Sequence, residues 1–273
     1  MRCAWEALLG ILPPQLRKNV DVQGREEAQE LRLRLGQAPE LVMDGKSLLL
    51  PGSTSREELD YIVNAASRYS PWAAATAAQG YLTAPGGHRI GLCGQVVCRD
   101  GQVQGIRELT SLCIRIARDF PGIAREAGIL PGSVLILGAP GWGKTTLLRD
   151  VLRERSRREA VCVVDERDEI FPQGLDRGAR TDVLTGCPKT QGILMALRTM
   201  SPRCIGVDEI TSPEDCRAVL EAANCGVHLV ATIHGESPER FRRRAVYREL
   251  CGVFDHLVAL HPDKSWNRER MAL

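Results

Sequence analysis

Gly138-Ala139-Pro140-Gly141-Trp142-Gly143-Lys144-Thr145 has the residue types and spacing that grip a triphosphate. The glycines let the backbone approach an anion closely. The lysine reaches β- and γ-phosphate oxygens, and the hydroxyl after it suits Mg²⁺. Such a loop works only between a strand and a helix, and the flanking residues predict both. Val134–Leu137 is a continuous apolar run, as in a buried parallel strand. Thr146-Leu147-Leu148-Arg149-Asp150 opens a helix. Together they aim backbone N–H groups and the positive end of a helix dipole at one point. The alternative is a chance match in a glycine-rich surface turn. With 26 Gly, a shuffled chain would show the pattern roughly once in 250, and the strand–helix context lowers that further. Gly138 to Thr146 is read as the nucleotide-binding segment, with ATP and Mg²⁺ as the expected ligands.

Three more apolar runs end in reactive side chains. Cys204-Ile205-Gly206-Val207 leads into Asp208-Glu209. At the carboxyl end of a parallel strand, Asp208 is placed to hold Mg²⁺ opposite Thr145, and Glu209 to orient or deprotonate water. Two solvated acids leaving the core would give the same pattern, but the phosphate loop upstream favours the chemical role. Val161–Val164 leads into Asp165-Glu166-Arg167-Asp168-Glu169. One of these carboxylates is expected to complete the water or metal shell, with Glu166 the candidate. Val227–Gly235 carries a histidine near each end. His234, at the carboxyl end, is placed to sense the γ-phosphate, whereas His228 is expected to be a packing residue. The polar, glycine-punctuated stretch Gly178–Pro188 is read as a loop, and its Arg180 as a candidate transition-state arginine acting within or between subunits. Five arginines between Arg240 and Arg248 predict a solvated or subunit-contact helix face.

These residues need elements to position them. Strand candidates Ser133–Leu137, Ala160–Asp165, Cys204–Asp208, Val227–Ile233 and Phe254–Leu260 alternate with helix candidates Lys144–Arg158, Thr190–Met200, Pro213–Ala223 and Pro238–Leu250. That order predicts an α/β domain with a mostly parallel sheet and helices on both faces. The Pro/Gly-punctuated stretch Asp119–Pro131 marks a boundary. Before it, alternation in Leu31–Leu35, His88–Val97 and Leu112–Ile116, a helix over Glu57–Tyr69 and a turn at Asp100-Gly101 predict a smaller α+β domain.

Composition limits the function classes. The formal net charge is +2, and 26% of residues are charged. The basic and acidic side chains balance in both halves, which gives no nucleic-acid-binding arm. Phe, Trp and Tyr number four each, too few for a base-stacking track. The ten cysteines contain no Cys-x-x-Cys pair, so their spacing predicts no zinc site. Cys113, Cys162 and Cys204 stand in apolar strands as small hydrophobes, which suits a reducing cytoplasm. Glu6 and Pro13-Pro14 break the first apolar stretch, and no run approaches the ~20 residues of a membrane span. Membrane association is expected only through partners.

The assembled motifs resemble the type II/type IV secretion ATPases, which carry a phosphate loop, an acidic box, an acidic strand ending in Glu and a histidine box. Here these are Gly138–Thr145, Asp165–Glu169, Asp208-Glu209 and His228–His234. Within that superfamily the phrases VDERDEI, RTDVLTGCPK, SPRCIGVDEI, GGHRIGLCGQ and SLCIRIARD are similar to the sporulation ATPase family of endospore-forming bacteria. The resemblance runs from about residue 30 to residue 260. It implies a RecA-like P-loop NTPase core over 126–273, preceded by a smaller α+β N-terminal domain over 1–125. It further implies a cytoplasmic, hexameric ATP-hydrolysing motor docked on a membrane channel of sister sporulation proteins, between mother cell and forespore. Arg89 and Arg115 fall where such motors direct N-terminal arginines toward nucleotide. Two features depart from the pattern: Trp142 replaces a small loop residue, and the sequence runs only a short way past Leu260. An ATP-gated nucleic-acid-binding ATPase and a low-turnover ATP-binding assembly factor are the alternatives. A small-molecule kinase is disfavoured, since no acceptor-binding lid is evident.

Overall fold

The computed structural model describes residues 2–24, 27–43, 46–67, 77, 80–99, 102–126, 131–172, 174–243, 247 and 249–271. Two compact units are present: Met1–Asp119 with Pro172–Leu175, and Phe120–Phe171 with Asp176–Leu273.

In the first unit the order is β1 (Arg2–Cys3), α1 (Trp5–Ile11), α2 (Pro14–Gln23), β2 (Ala28–Arg34), β3 (Glu40–Met43), β4 (Lys46–Leu49), α3 (Arg56–Ser67), β5 (Tyr81–Ala84), β6 (His88–Arg99), β7 (Gln102–Arg115) and β8 (Arg118–Asp119). Six strands form an antiparallel sheet in the order β4-β3-β2-β7-β6-β5. One face is apolar: Leu31, Leu33, Ile90 and Ile114 are fully buried and share a core with Leu8, Leu9, Leu59 and Ile62 from the helices. The other face carries Glu30, Arg32 and Arg115, where Glu30 pairs with both arginines. This is the alternation the sequence shows at Leu31–Leu35. The apolar stretch before Pro13-Pro14 is helical, and a second helix begins at Pro14, which needs no intrahelical N–H donor there. Cys113 is half-buried beside Glu30 instead of packed in the core. The Asp100-Gly101 turn lies outside the described residues.

The second unit contains α4 (Ile123–Glu126), β9 (Val134–Gly138), α5 (Lys144–Arg155), β10 (Val161–Asp165), β11 (Thr181–Thr185), α6 (Lys189–Thr199), β12 (Cys204–Ile210), α7 (Pro213–Asn224), β13 (His228–His234), α8 (Pro238–Arg243), β14 (His256–Leu260) and β15 (Trp266–Arg270). The seven strands run in the order β11-β10-β12-β13-β9-β14-β15. All neighbours are parallel except β14 and β15. Both faces are covered, which is why these strands read as unbroken apolar runs. Val134, Ile136, Val163 and Val230 join Leu147, Leu148 and Leu152 of α5 in one core cluster. The intervening Leu135, Leu137, Val164 and Ala231 join Ile193 of α6 and Val219 of α7 in another.

Gly206 sets how closely α5 approaches β12. A Cβ there would stand 2.4 Å from Leu152 Cδ1, so a side chain would force the buried Leu152 to repack or the helix to shift. In the same helix, the buried Asp150 pairs with Arg153 at 2.6 Å and accepts N–H bonds from Gly122 and Ala124. The start of this unit is thereby pinned to the helix that follows the phosphate loop.

Two strands differ from the sequence reading. Thr181–Thr185 is an edge strand in register with β10, not part of a loop. It has only two apolar residues, Val183 and Leu184, each packed on a different core cluster, too few to show periodicity. Trp266–Arg270 pairs antiparallel with β14, although it is almost wholly polar. The helix after Pro238 is described over Pro238–Arg243, and Glu249–Gly252, where the expected helix ended, is a 3₁₀ turn. Arg240 and Arg242 there are exposed and paired with Glu236 and Glu269, while Arg244 and Arg248 lie outside the described residues.

Candidate functional site

The turn between β9 and α5 is built around two left-handed glycines, Gly141 (φ 74°) and Gly143 (φ 101°). A side chain at either would be strained. Gly143 occupies the N-cap position of α5, and no side chain caps that helix. The first-turn N–H groups of Lys144, Thr145 and Thr146 are thus directed at the loop mouth without intrahelical partners. Lys144 Nζ donates to Ala139 O at 3.1 Å. Burial pulls its ammonium below the usual lysine range, while the Asp208 and Glu209 charges oppose the shift.

A hydroxyl–carboxylate chain links the start of α5 to the carboxyl ends of β12 and β13. Thr145 Oγ1 donates to Asp208 Oδ2 at 2.8 Å, Thr232 Oγ1 donates to Asp208 Oδ1, and the Glu209 N–H donates to Thr232 Oγ1 at 2.8 Å. The register of β12 against β13 slips between Val207 and Ile210, and Glu209 lies at φ 50°. Left-handed backbone at a non-glycine costs of order 1–3 kcal/mol. The hydrogen bond to Thr232 holds it there. The result places two consecutive carboxylates at the carboxyl edge of the sheet. Sequence reasoning misses Thr232. Its signal is a lone hydroxyl in a buried apolar strand, two residues before that strand's end.

A shallow cleft opens beside this chain, with Glu166, Arg167, Lys189, Asp208 and Glu209 on its walls. Glu166 pairs with Lys189 at 2.7 Å and Arg167 with Glu209 at 3.6 Å. Asp165 has a different task. Its buried carboxylate accepts N–H bonds from Glu169, Ile170 and Phe171 at 2.8–2.9 Å. Arg149 of α5 donates to the Glu169 and Ile170 carbonyls from the other side. Burial pushes the Asp165 carboxyl up, and the three N–H groups pull it back.

Asp168 stands in this turn at φ 54°. Burial pushes its carboxyl up to about 6, the Asp165 charge adds to the shift, and Arg177 opposes it. In an unfolded chain it titrates near 3.9. Between those values the folded protein binds more protons than the unfolded chain, so this group's contribution to stability falls as pH rises from about 4 to 6. Asp168→Asn keeps a side chain that tolerates left-handed backbone and removes the charge. It is expected to raise stability by roughly 1–3 kcal/mol at pH 7.5 and to lose that advantage towards pH 4. Thermal melts at the two pH values check this.

The other sequence-derived candidates separate. His234 pairs in register with Gly138, at the first residue of the loop. His228 is exposed at the far end of β13, 4.0 Å from Glu159, so it is not a packing residue. Arg180 also lies at the far end. Its carbonyl accepts the Val161 N–H and its guanidinium donates to Arg158 O. Four residues of β10 separate that end from Asp165, about 13 Å, so Arg180 cannot serve the phosphate loop of its own chain. Trp142 packs against the same core cluster as Trp266. The described cysteines are free thiols, and burial pushes Cys162, Cys204 and Cys216 up to about 11, which makes them unreactive. Among the described residues no helix is long and apolar enough to cross a membrane.

A parallel sheet with a glycine loop at the carboxyl end of β9, and an acidic pair two strands away, defines the P-loop nucleoside triphosphatase class. The model of the family "Sporulation stage III, protein AA" matches residues 5–268, and the chain belongs to that family. Stage III sporulation protein AA of Bacillus subtilis (strain 168) is 37% identical over 255 residues, which cover 86% of this chain and 82% of that protein. Among solved structures, the pilus retraction motor PilT with bound ADP matches with a TM-score of 0.64 at 14% identity, over 95% of this chain and 78% of that one. The ATPase DotB of Legionella pneumophila matches with a TM-score of 0.58 at 20% identity, over 89% and 76%. These likenesses give the fold: the core is RecA-like.

Proposed function

We propose that the protein is an ATP-hydrolysing motor that works with the membrane channel proteins of a sporulation complex. The carrying observation is the chain Thr145–Asp208–Thr232–Glu209, set beside Lys144 at the mouth of the phosphate loop. Gly138, Ala139, Pro140, Gly141, Trp142 and Gly143 wrap the triphosphate. A γ-phosphate oxygen draws the Lys144 ammonium away from Ala139 O, a stronger charge-assisted bond replacing a neutral acceptor. The N–H groups of Lys144, Thr145 and Thr146 receive the inner phosphates. Glu209 orients water for in-line attack and accepts its proton. Arg167 holds the Glu209 carboxylate from the side, and Glu166 and His234 border the γ end.

The Thr145 hydroxyl and Asp208 carboxylate fit Mg²⁺, which favours one or two protein oxygens with phosphates and water completing an octahedron. Bound there, Mg²⁺ neutralises charge developing on the phosphate oxygens.

Family membership supports the sporulation setting, and with it we read the assembly as cytoplasmic, hexameric and bound to the membrane through its partners. The ATPase core is assigned to 126–273 and the α+β domain to 1–125. Since Arg180 faces away from its own loop, an arginine from a neighbouring subunit is the consistent source of a transition-state contact. Phosphate release under multiple turnover, paired with solution mass with and without ATP–Mg²⁺, tests the reading. Steady release that Lys144→Ala abolishes, with a larger assembly in nucleotide, is expected. Assembly without release would leave an ATP-gated scaffold, and no nucleotide binding would remove the reading altogether.

A further inference from the structure

The turn between β14 and β15 reaches the phosphate loop from the side that the catalytic acids do not occupy. β14 lies next to β9 in register, Ala259 beside Leu137, and a Cβ at Gly138 would come within 3.2 Å of Leu260 Cβ. The residues after Leu260 therefore emerge directly beside the loop. They form a tight turn. His261 N–H donates to Ser265 O, Lys264 N–H donates to His261 O, and Asp263 accepts bonds from the Ser265 N–H and hydroxyl. Lys264 is held left-handed at φ 69°, and its ammonium donates to the carbonyl of Gly141, across 123 residues of sequence.

The strand order gives this contact a direction. Asp208 and Glu209 lie on β12, to one side of β9, with β13 between. The γ end of a triphosphate in the loop points that way. Its other end must leave on the opposite flank, where β14 and the 261–265 turn stand. The phosphate groups are served by Lys144 and the helix N-terminus, so a second lysine tethered to the outer carbonyl of the loop meets the nucleoside attached to them. We propose that Lys264 is a nucleoside-binding residue: its ammonium and methylene stem form the wall against which the ribose and purine of the nucleotide rest. An ammonium can donate to ribose oxygens and lie over an aromatic ring face, and its stem covers apolar surface. The same residue ties nucleoside occupancy to the shape of the loop, because one cation contacts both. This inference rests on the triphosphate reading above and adds which part of the ligand the C-terminal hairpin recognises.

The test compares a non-hydrolysable ATP analogue with inorganic tripolyphosphate, both with Mg²⁺, by calorimetry on the full chain. Lys264→Met is expected to weaken the analogue about tenfold and tripolyphosphate less than twofold. Lys264→Arg, keeping a cation at the same place, is expected to retain most of the affinity for the analogue. Equal weakening of both ligands by Lys264→Met would overturn the proposal, since Lys264 would then act only as charge near phosphate. No weakening of either would overturn it too, as would a wild type that binds tripolyphosphate as tightly as the analogue. A wild type that binds neither ligand would overturn the triphosphate reading itself, a separate result. An unchanged melting profile for Lys264→Met shows that the loss is local.

Discussion

Glu209→Gln is expected to lower ATP turnover by about 10²–10⁴-fold, the usual worth of a positioned general base. The backbone that carries residue 209 should not change. Its left-handed conformation is held by the N–H bond to Thr232, which the substitution does not touch. Glutamine has the same shape but cannot take a proton from water. Nucleotide affinity should stay within about threefold, since the proposed phosphate contacts come from Lys144 and the helix N-terminus. The pair Arg167–Glu209 is 3.6 Å apart with both side chains exposed, so its loss should cost little stability. Steady-state phosphate release and equilibrium binding on the same preparation check both halves. Undiminished release would take Glu209 out of the chemistry.

Asp165→Ala should act mainly through folding. The carboxylate looks like one member of an acidic cluster, yet it is 2% exposed and accepts three backbone N–H groups. Ile170 and Phe171, two of the donors, are fully buried. Alanine would leave all three donors without a partner, at about 1–3 kcal/mol each when water cannot reach them. The expected loss is about 3–5 kcal/mol, a large share of a typical domain's stability. A drop in melting temperature of roughly 10 °C or more corresponds to this. Asp165→Asn keeps an acceptor oxygen and should lose less. Thermal and denaturant unfolding measure both variants. A melting point within a degree or two of wild type for Asp165→Ala would mean the turn holds itself without the carboxylate.

The parallel core was legible because burial on both faces writes itself as unbroken apolar runs, seen at Val134–Leu137, Val161–Val164 and Cys204–Val207. The turn before α5 was legible for a different reason: glycine suits its left-handed positions, Gly141 and Gly143, where a side chain would be strained. Strands at the sheet edges were not. Thr181–Thr185 and Trp266–Arg270 owe their conformation to a neighbour's hydrogen bonds, and their side chains carry little periodicity. Roles inside the acidic box were hidden as well. Asp165, Glu166 and Asp168 are chemically alike in sequence. They diverge through their surroundings: amide donors, Lys189, and burial beside another charge. Arg180 shows the converse limit. Its type suited a transition-state contact, but its place just before β11 puts it at the far end of the sheet from its own chain's loop, which leaves only the between-subunit half of that expectation.

Every step assigned to the motor needs one placement: a triphosphate in the Gly138–Thr145 loop has its γ-phosphoryl group between Lys144 and the Asp208-Glu209 edge. The most direct measurement is a crystal structure of the Glu209→Gln protein trapped with ATP and Mg²⁺. The prediction is a γ-phosphate contacting Lys144 Nζ, a metal near the Thr145 hydroxyl and Asp208, and an ordered water beside residue 209. A triphosphate bound elsewhere, or side chains at 208 and 209 turned away from it, would contradict that placement and the motor with it.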